Sequence, residues 1–369
     1  MNFEPTLEQI QLEDSLSRML GDQAARRGDT SAGWRQLAEL GVLGLTFPES
    51  AGGASLGAFD LMAVARTLGR HHSQLPFLPS VVLGGTAVVL AGSESQQADI
   101  LGAVADGSMR LAWAHDEAGR ADGSPLGTKA SRTPGGSWSL SGAKVHVLDG
   151  AGAHRLVVSA AVDVDGELGV GLFIVDAALP EVARRGYMLH DGRDACDLQF
   201  NAAPAQALGS LQGHAAIIES VRDAGIAAVC AETVGAMEGA YALTLEYVKV
   251  REQFGHAIGS YQVVQHRVVD MLIALEQARS MMIVAAGATE LPHGTRRERD
   301  IHAAKYIVGT YARQVGQQSV QLHGAIGLTE EYALGAFVRM LLVGEQLLGN
   351  RHEHLARLAR LPHADEVPA

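Results

Sequence analysis

Apolar positions divide the 369-residue chain into three stretches of different period. Up to about residue 110 they recur at helical spacing. Leu7, Ile10, Leu12 and Leu16 form one such series, and Trp34, Leu37 and Leu40 form another that stops at Gly41. Residues 59–68 make a third, closed by Gly69. Between the second and third, Phe47-Pro48-Glu49-Ser50-Ala51-Gly52-Gly53 predicts a loop, because proline and paired glycines interrupt a helix.

From about 111 to 210 the pattern shortens. Apolar runs at 138–140, 155–159 and 168–175 alternate with Gly, Asp and Pro turns, which predicts a small antiparallel sheet or barrel. From about 211 onward the helical period returns in long segments. The first, 217–250, predicts a helix of about 34 residues and about 50 Å. Others are predicted at 261–288, 296–322 and 330–348, and four long helices joined by short loops make a bundle. The expected organisation is α+β, with a helical domain at 1–110, a β-barrel domain at 111–210 and a helical bundle at 211–369.

Composition refines this picture. An apolar fraction of 47 % suffices for large cores, and 43 glycines with only 5 % aromatics suit closely approaching helices. A net charge of −12 argues against a nucleic-acid partner, since phosphate binding needs a basic face. The mixed-sign cluster Arg296-Arg297-Glu298-Arg299-Asp300 reads as a solvated helix start. The opening Met1-Asn2-Phe3-Glu4-Pro5 lacks a basic segment followed by an apolar run, and no run of about twenty apolar residues predicts a membrane span. Two distant cysteines, Cys196 and Cys230, suit a reducing cytoplasm, and fifteen histidines without HExxH spacing imply no metal.

Three stretches carry a resemblance. Leu40-Gly41-Val42-Leu43-Gly44-Leu45-Thr46-Phe47-Pro48-Glu49-Ser50-Ala51-Gly52-Gly53 resembles the pattern LGxxGLxxPExxGG. Arg251-Glu252-Gln253-Phe254-Gly255 with Gln262, Gln265 and His266 resembles RxxFGxxIxxFQxxQH, and Gln321-Leu322-His323-Gly324-Ala325-Ile326-Gly327 resembles QxxGGxG. Their order and spacing resemble the acyl-CoA dehydrogenase family, whose fold is a helical domain, a β-barrel and a four-helix bundle. The resemblance implies FAD, an acyl-CoA thioester substrate, and removal of an α proton by a carboxylate as the β hydride leaves for the flavin.

The residues expected at that chemistry are absent. The base of the family lies in a YEGT motif, and counting from Phe337-Val338-Arg339 brings Leu348 to its position, within Leu347-Leu348-Gly349-Asn350. A leucine side chain has no lone pair to accept a proton. The other position used by relatives, about 25 residues before Arg251, holds Gly225 and Ile226. Asp223, Glu232 and Glu345 are the nearby carboxylates, with Asp223 and Glu345 the alternative bases to weigh. In the ring-contact motifs TEPxAGSD and KxWITNG, Thr and Ser become His115 and Ala121, the stacking Trp becomes His146, and Thr becomes Leu148.

The motifs that hold the adenosine-diphosphate end of a neighbour's flavin are kept, in Arg251, Gln253, Phe254, Gln321 and Gly324, with Ala325 replacing the second glycine. An arginine fork suits a pyrophosphate because it bonds two oxygens. The chain therefore resembles the small, non-catalytic subunits of bacterial heteromeric members, such as those of pimeloyl-CoA dehydrogenase and of steroid side-chain degradation. That implies FAD shared at an interface, a catalytic sister subunit in a cytoplasmic heterotetramer, and an electron-transferring flavoprotein as acceptor. A self-sufficient flavoenzyme with an unusual base, or a non-enzymatic scaffold or CoA-ester binding subunit, are the alternatives.

Overall fold

The computed structural model describes residues 6–25, 30–120, 124–164, 166–329 and 331–362. The first five residues, Ala121 and residue 330 of the predicted 330–348 helix lie outside them. In chain order the elements are α1 (Leu7–Ala25), α2 (Thr30–Glu39), α3 (Ala58–Arg70), α4 (Thr86–Ala91) and α5 (Glu94–Ala105). Seven strands follow: β1 (Leu111–Ala114), β2 (Lys129–Arg132), β3 (Trp138–Leu148), β4 (Arg155–Val164), β5 (Glu167–Asp176), β6 (Val182–Met188) and β7 (Asp194–Ala207). The remainder is α6 (His214–Val250), the short β8 (Glu252–Gln253) and β9 (His256–Ala257), α7 (Gln262–Thr289), α8 (Thr295–His323), α9 (Leu334–Gln346) and α10 (Arg351–Leu358).

The chain forms two compact units. One gathers 28–56 and 74–225, and the other 1–27, 57–73 and 226–369. In the first, the sheet runs β1-β4-β2-β3-β7-β5, and β5 pairs back with β4, so the strands close into a barrel. The β4–β5 hairpin is in register from Arg155↔Asp176 to Val164↔Glu167. Most pairings are antiparallel, while β1 and β2 run parallel to β4. Leu140, Leu156, Val158, Phe173, Leu198 and Phe200 fill the interior. The glycine-rich 47–53 segment is the expected loop. Phe47 is fully buried beneath it, and Gly53 donates its N–H to Pro48 O at 3.0 Å.

In the helical unit α6 is long and apolar enough to cross a membrane by length and composition, but its run 226–240 is buried in the protein. α3 crosses it at glycines. A Cβ on Gly69 would stand 1.9 Å from Glu232 O, and one on Gly235 would stand 1.9 Å from Arg66 O. No side chain fits there, so the glycines set how closely the helices approach. Glu13 and Arg66 tie α1 to α3 through a two-oxygen ion pair at 2.7 and 2.8 Å.

The predicted helix 330–348 ends early. α9 stops at Gln346, and Leu348 lies in a turn with φ 58°, followed by Gly349 at φ 101°. A left-handed residue cannot continue a right-handed helix. A further helix, α10, begins three residues later, capped by Asn350, whose Oδ1 accepts from the N–H groups of His352 and Glu353 at 2.9 and 3.1 Å.

Substituting Gly235 by Ala is expected to push α3 and α6 apart at a cost of about 1–3 kcal/mol. The thermal unfolding midpoint measures this, and an unchanged midpoint would mean the helices do not cross at these glycines.

Candidate functional site

The helical unit contains the turn that carries Leu348. Lys305 on α8, nearly fully buried, donates from Nζ to the carbonyls of Gly344 and, at 3.4 Å, Glu345, which closes the C-terminus of α9. His354 on α10 bonds Leu348 O through Nε2 at 3.1 Å. A carbonyl only accepts, so that nitrogen carries the proton. His354 Nδ1 pairs with His302 Nδ1, 2.9 Å away on α8, one of the two donating and the other accepting. The left-handed backbone of Leu348 costs about 1–2 kcal/mol for a residue with a Cβ, and these contacts together hold it. Glu345 is 7 % exposed and faces Arg351, whose Nε is 3.5 Å from its Oε1. Its carboxylate is therefore engaged by a cation. Asp223, on the other compact unit, is also buried, and Glu232 lies under α3.

The same unit brings the two retained motifs together. Tyr247, one turn before Arg251, stacks on His323 with ring centres 4.3 Å apart, and its hydroxyl donates to His323 O at 3.3 Å. His323 donates from Nδ1 to Ser319 O at 2.8 Å, leaving Nε2 to accept from the Tyr332 hydroxyl at 3.3 Å. Burial lowers its pKa, in keeping with this neutral form. Through this stack the C-terminus of α6, with Arg251, lies beside the C-terminus of α8, with Gln321 and Gly324.

Beyond Arg251 the chain makes a two-residue hairpin whose central residues, Phe254 and Gly255, have φ 54° and 81°. Positive φ at both is the signature of a type I′ turn. Phe254 is 91 % exposed at its tip. An aromatic held in left-handed geometry and left in solvent is presented rather than packed. Arg251, Gln253, Gln321, Gly324 and Ala325 are exposed as well. An exposed guanidinium and exposed amides in one region fit the diphosphate and adenosine end of a dinucleotide.

The barrel unit contains the stretches that resemble the ring-contact motifs. Lys144 on β3 is fully buried, and its Nζ donates to His115 O at 2.9 Å, Glu117 Oε1 at 2.8 Å and Ser159 Oγ at 3.2 Å. Burial brings its pKa down to about 8, with Glu117 opposing. Burial also pushes Glu117 up, but bonds from Lys144 and from the N–H groups of Gly127 and Thr128 prevail and set it at about 2.

His115 bonds Ser159 Oγ through Nδ1 at 2.8 Å and Arg120 Nη2 through Nε2 at 3.1 Å. Arginine only donates, so Nε2 is the acceptor and Nδ1 carries the proton. Burial, then Lys144, Arg120 and Arg222, hold its pKa at about 3. His115 is therefore neutral at physiological pH. On β3, His146 is exposed at a bulge with φ 56°, and Leu148 is half-buried. Neither supplies a hydroxyl or a large stacking ring.

Sequence reasoning singled out His115 and Arg251 but missed Tyr247, Tyr332, Arg120 and the set Glu117–Lys144–Ser159. A lysine and a glutamate 27 positions apart leave no local signature. Arg120 did leave one, because it stands at the glycine of the AGSD pattern. Among the described residues no group of three His, Cys, Asp or Glu could hold a metal.

Residues 12–108 match the family model for the acyl-CoA dehydrogenase N-terminal domain, and 213–361 that for the acyl-CoA dehydrogenase C-terminal domain. The mitochondrial isovaleryl-CoA dehydrogenase of Solanum tuberosum is 29 % identical over 317 residues, spanning 83 % of this chain and 76 % of the relative. A variant of the Tcur3481-Tcur3483 steroid ACAD superposes with TM-score 0.85 at 32 % identity, covering 96 % of this chain and 97 % of that one. The ChsE4-ChsE5 complex from Mycobacterium tuberculosis shares the fold, with TM-score 0.86 at 24 % identity over the full length of both chains. The chain belongs to the acyl-CoA dehydrogenase family, a class of FAD-dependent oxidoreductases.

At the end of β3, where the WITNG pattern has asparagine, Asp149 has one carboxylate oxygen bound by Arg110 at 3.4 Å and the other buried without a partner among the described residues. Burial raises its pKa from 3.8 to about 6, opposed by Arg110 and reinforced by Asp194. The folded state thus holds this proton more tightly than the unfolded chain. Below about pH 4 the group is neutral in both states, and stability is lost as pH rises through about 6. Asp149→Asn should raise the unfolding midpoint at about pH 7.5, by up to about 3 kcal/mol of stability, and leave it nearly unchanged at about pH 4. Equal effects at both pH values would contradict the assignment.

Proposed function

We propose that this chain is the non-catalytic subunit of a heteromeric, FAD-dependent acyl-CoA dehydrogenase. In this reading it lends Arg251, Gln253, Phe254, Gln321, Gly324 and Ala325 to the flavin of a catalytic sister chain. The observation that carries it is Leu348. The turn at the base position is braced by Lys305, His302, His354 and Asn350, yet the side chain it holds cannot take a proton at any pH. FAD, when bound, supplies the hydride acceptor for α,β-desaturation of the acyl thioester. The proton must go to a carboxylate, and on this reading the sister subunit provides it.

Further features support the assembly. Phe254, Val263, Val269 and Ile273 are more than half exposed on the hairpin and the first half of α7. Apolar surface of this kind favours burial against another protein. The similar Tcur3481-Tcur3483 steroid ACAD, whose name joins two components, supports a two-component assembly. By the same family logic, the electrons pass to an electron-transferring flavoprotein.

A self-sufficient enzyme using Glu345 is disfavoured because that carboxylate already faces Arg351. A scaffold that binds no cofactor leaves the exposed Arg251–Gln321 region without a purpose.

The chain purified alone should show no acyl-CoA-dependent reduction of an electron acceptor. In a complex co-purified with its sister, Arg251→Ala in this chain should lower flavin content at least about tenfold in apparent affinity, the effect of losing about 1.4 kcal/mol from a charge-assisted contact. Turnover by the single chain, or an Arg251→Ala complex that keeps its full flavin, would overturn the proposal.

A further inference from the structure

The ring half of a flavin site in this chain's own barrel unit does not fit the cofactor, and the misfit is built in. Each hydrogen-bonding side chain described on 115–120, apart from Asp116, is bonded to other groups of the barrel unit. His115 is bonded at both ring nitrogens, to Ser159 and Arg120. Glu117 is bonded at both oxygens by Gly127, Thr128 and Lys144. Arg120 reaches Ser124 O at 2.8 Å with one arm and His115 with the other. No hydroxyl stands at position 115, where the family pattern has threonine. A guanidinium stands at 120, where that pattern has a glycine with no side chain at all.

Resting on the reading of the chain as a non-catalytic subunit, we infer that Arg120, latched by His115 and Ser124, closes this chain's own ring half-site and so decides which chain of the complex carries flavin.

Two features set this latch apart from ordinary packing. Among the described residues Arg120 Nε is buried with no partner, a desolvation cost that the bonds of its two outer nitrogens offset. His115 is kept neutral among Lys144, Arg120 and Arg222, so its Nε2 lone pair is always available to the arginine above acidic pH. Lys144 fixes the His115 backbone from below, and Trp113 stacks beside its ring at 5.8 Å. The latch therefore has a floor, a wall and a permanent acceptor.

The test counts flavins per chain in the co-purified complex and titrates FAD into it, for the wild type, Arg120→Gly and His115→Thr. Arg120→Gly restores the pattern's glycine, while His115→Thr leaves the arginine but removes its acceptor and returns a hydroxyl. The wild type should carry fewer flavins than chains. Either variant should bind additional FAD at least about tenfold more tightly at the vacant site. The NMR titration of His115 in Arg120→Gly should shift upward, which reports that the latch has opened. One flavin per chain in the wild type would overturn the inference, as would an opened latch with no gain in FAD. The Arg251→Ala result is read at the sister's flavin, so the loan of Arg251 and the closure at Arg120 stand or fall separately.

Discussion

The barrel unit is organised around one buried charge. Lys144 carries its ammonium group into a fully buried position and survives there because three oxygens converge on it, one of them the Glu117 carboxylate. An unpaired charge at such a site would be prohibitively costly, so the geometry of all three partners is fixed by it. Glu117 in turn fixes the N–H groups of Gly127 and Thr128, Ser159 fixes His115, and His115 fixes Arg120. The stretch that resembles a cofactor-contact motif is thus made rigid by internal bonds, and none of the bonded side chains is free for a ligand.

The helical unit shows the opposite economy. Its turn at Leu348 retains a demanding backbone, with positive φ at two successive residues, and a set of buried contacts that hold it. Those contacts would suit a side chain that had to be aimed, yet the residue aimed is aliphatic. Its hairpin likewise retains an aromatic in left-handed geometry at an exposed tip, and its two polar motifs are drawn together by the Tyr247–His323 stack. The backbone of the Leu348 turn is firmly held, while the side chain it carries is a hydrocarbon with no proton acceptor.

Much of this was legible in the residues. Three periods of apolar spacing gave helices, strands and helices in the right order, because burial of one face is a local property of a strand or helix. The 47–53 loop followed from its glycines and proline. That Leu348 can accept no proton is also a matter of sequence, since no environment endows a hydrocarbon with a lone pair. The early end of α9 was less visible, because Leu347 and Leu348 continue the apolar pattern and only Gly349 hints at the turn.

What the tertiary structure decided is where polar groups spend their hydrogen bonds. Chain order alone could not say that Lys144 meets Glu117 and Ser159, that Tyr247 covers His323, or that Glu345 faces Arg351, because these pairs are separated by many residues or by a turn whose direction is set by packing. The sequence determined which side chains are available to this protein. Folding decided which of the available groups remain exposed to a partner and which are consumed within, because a buried donor or acceptor must be satisfied by whatever the fold brings beside it.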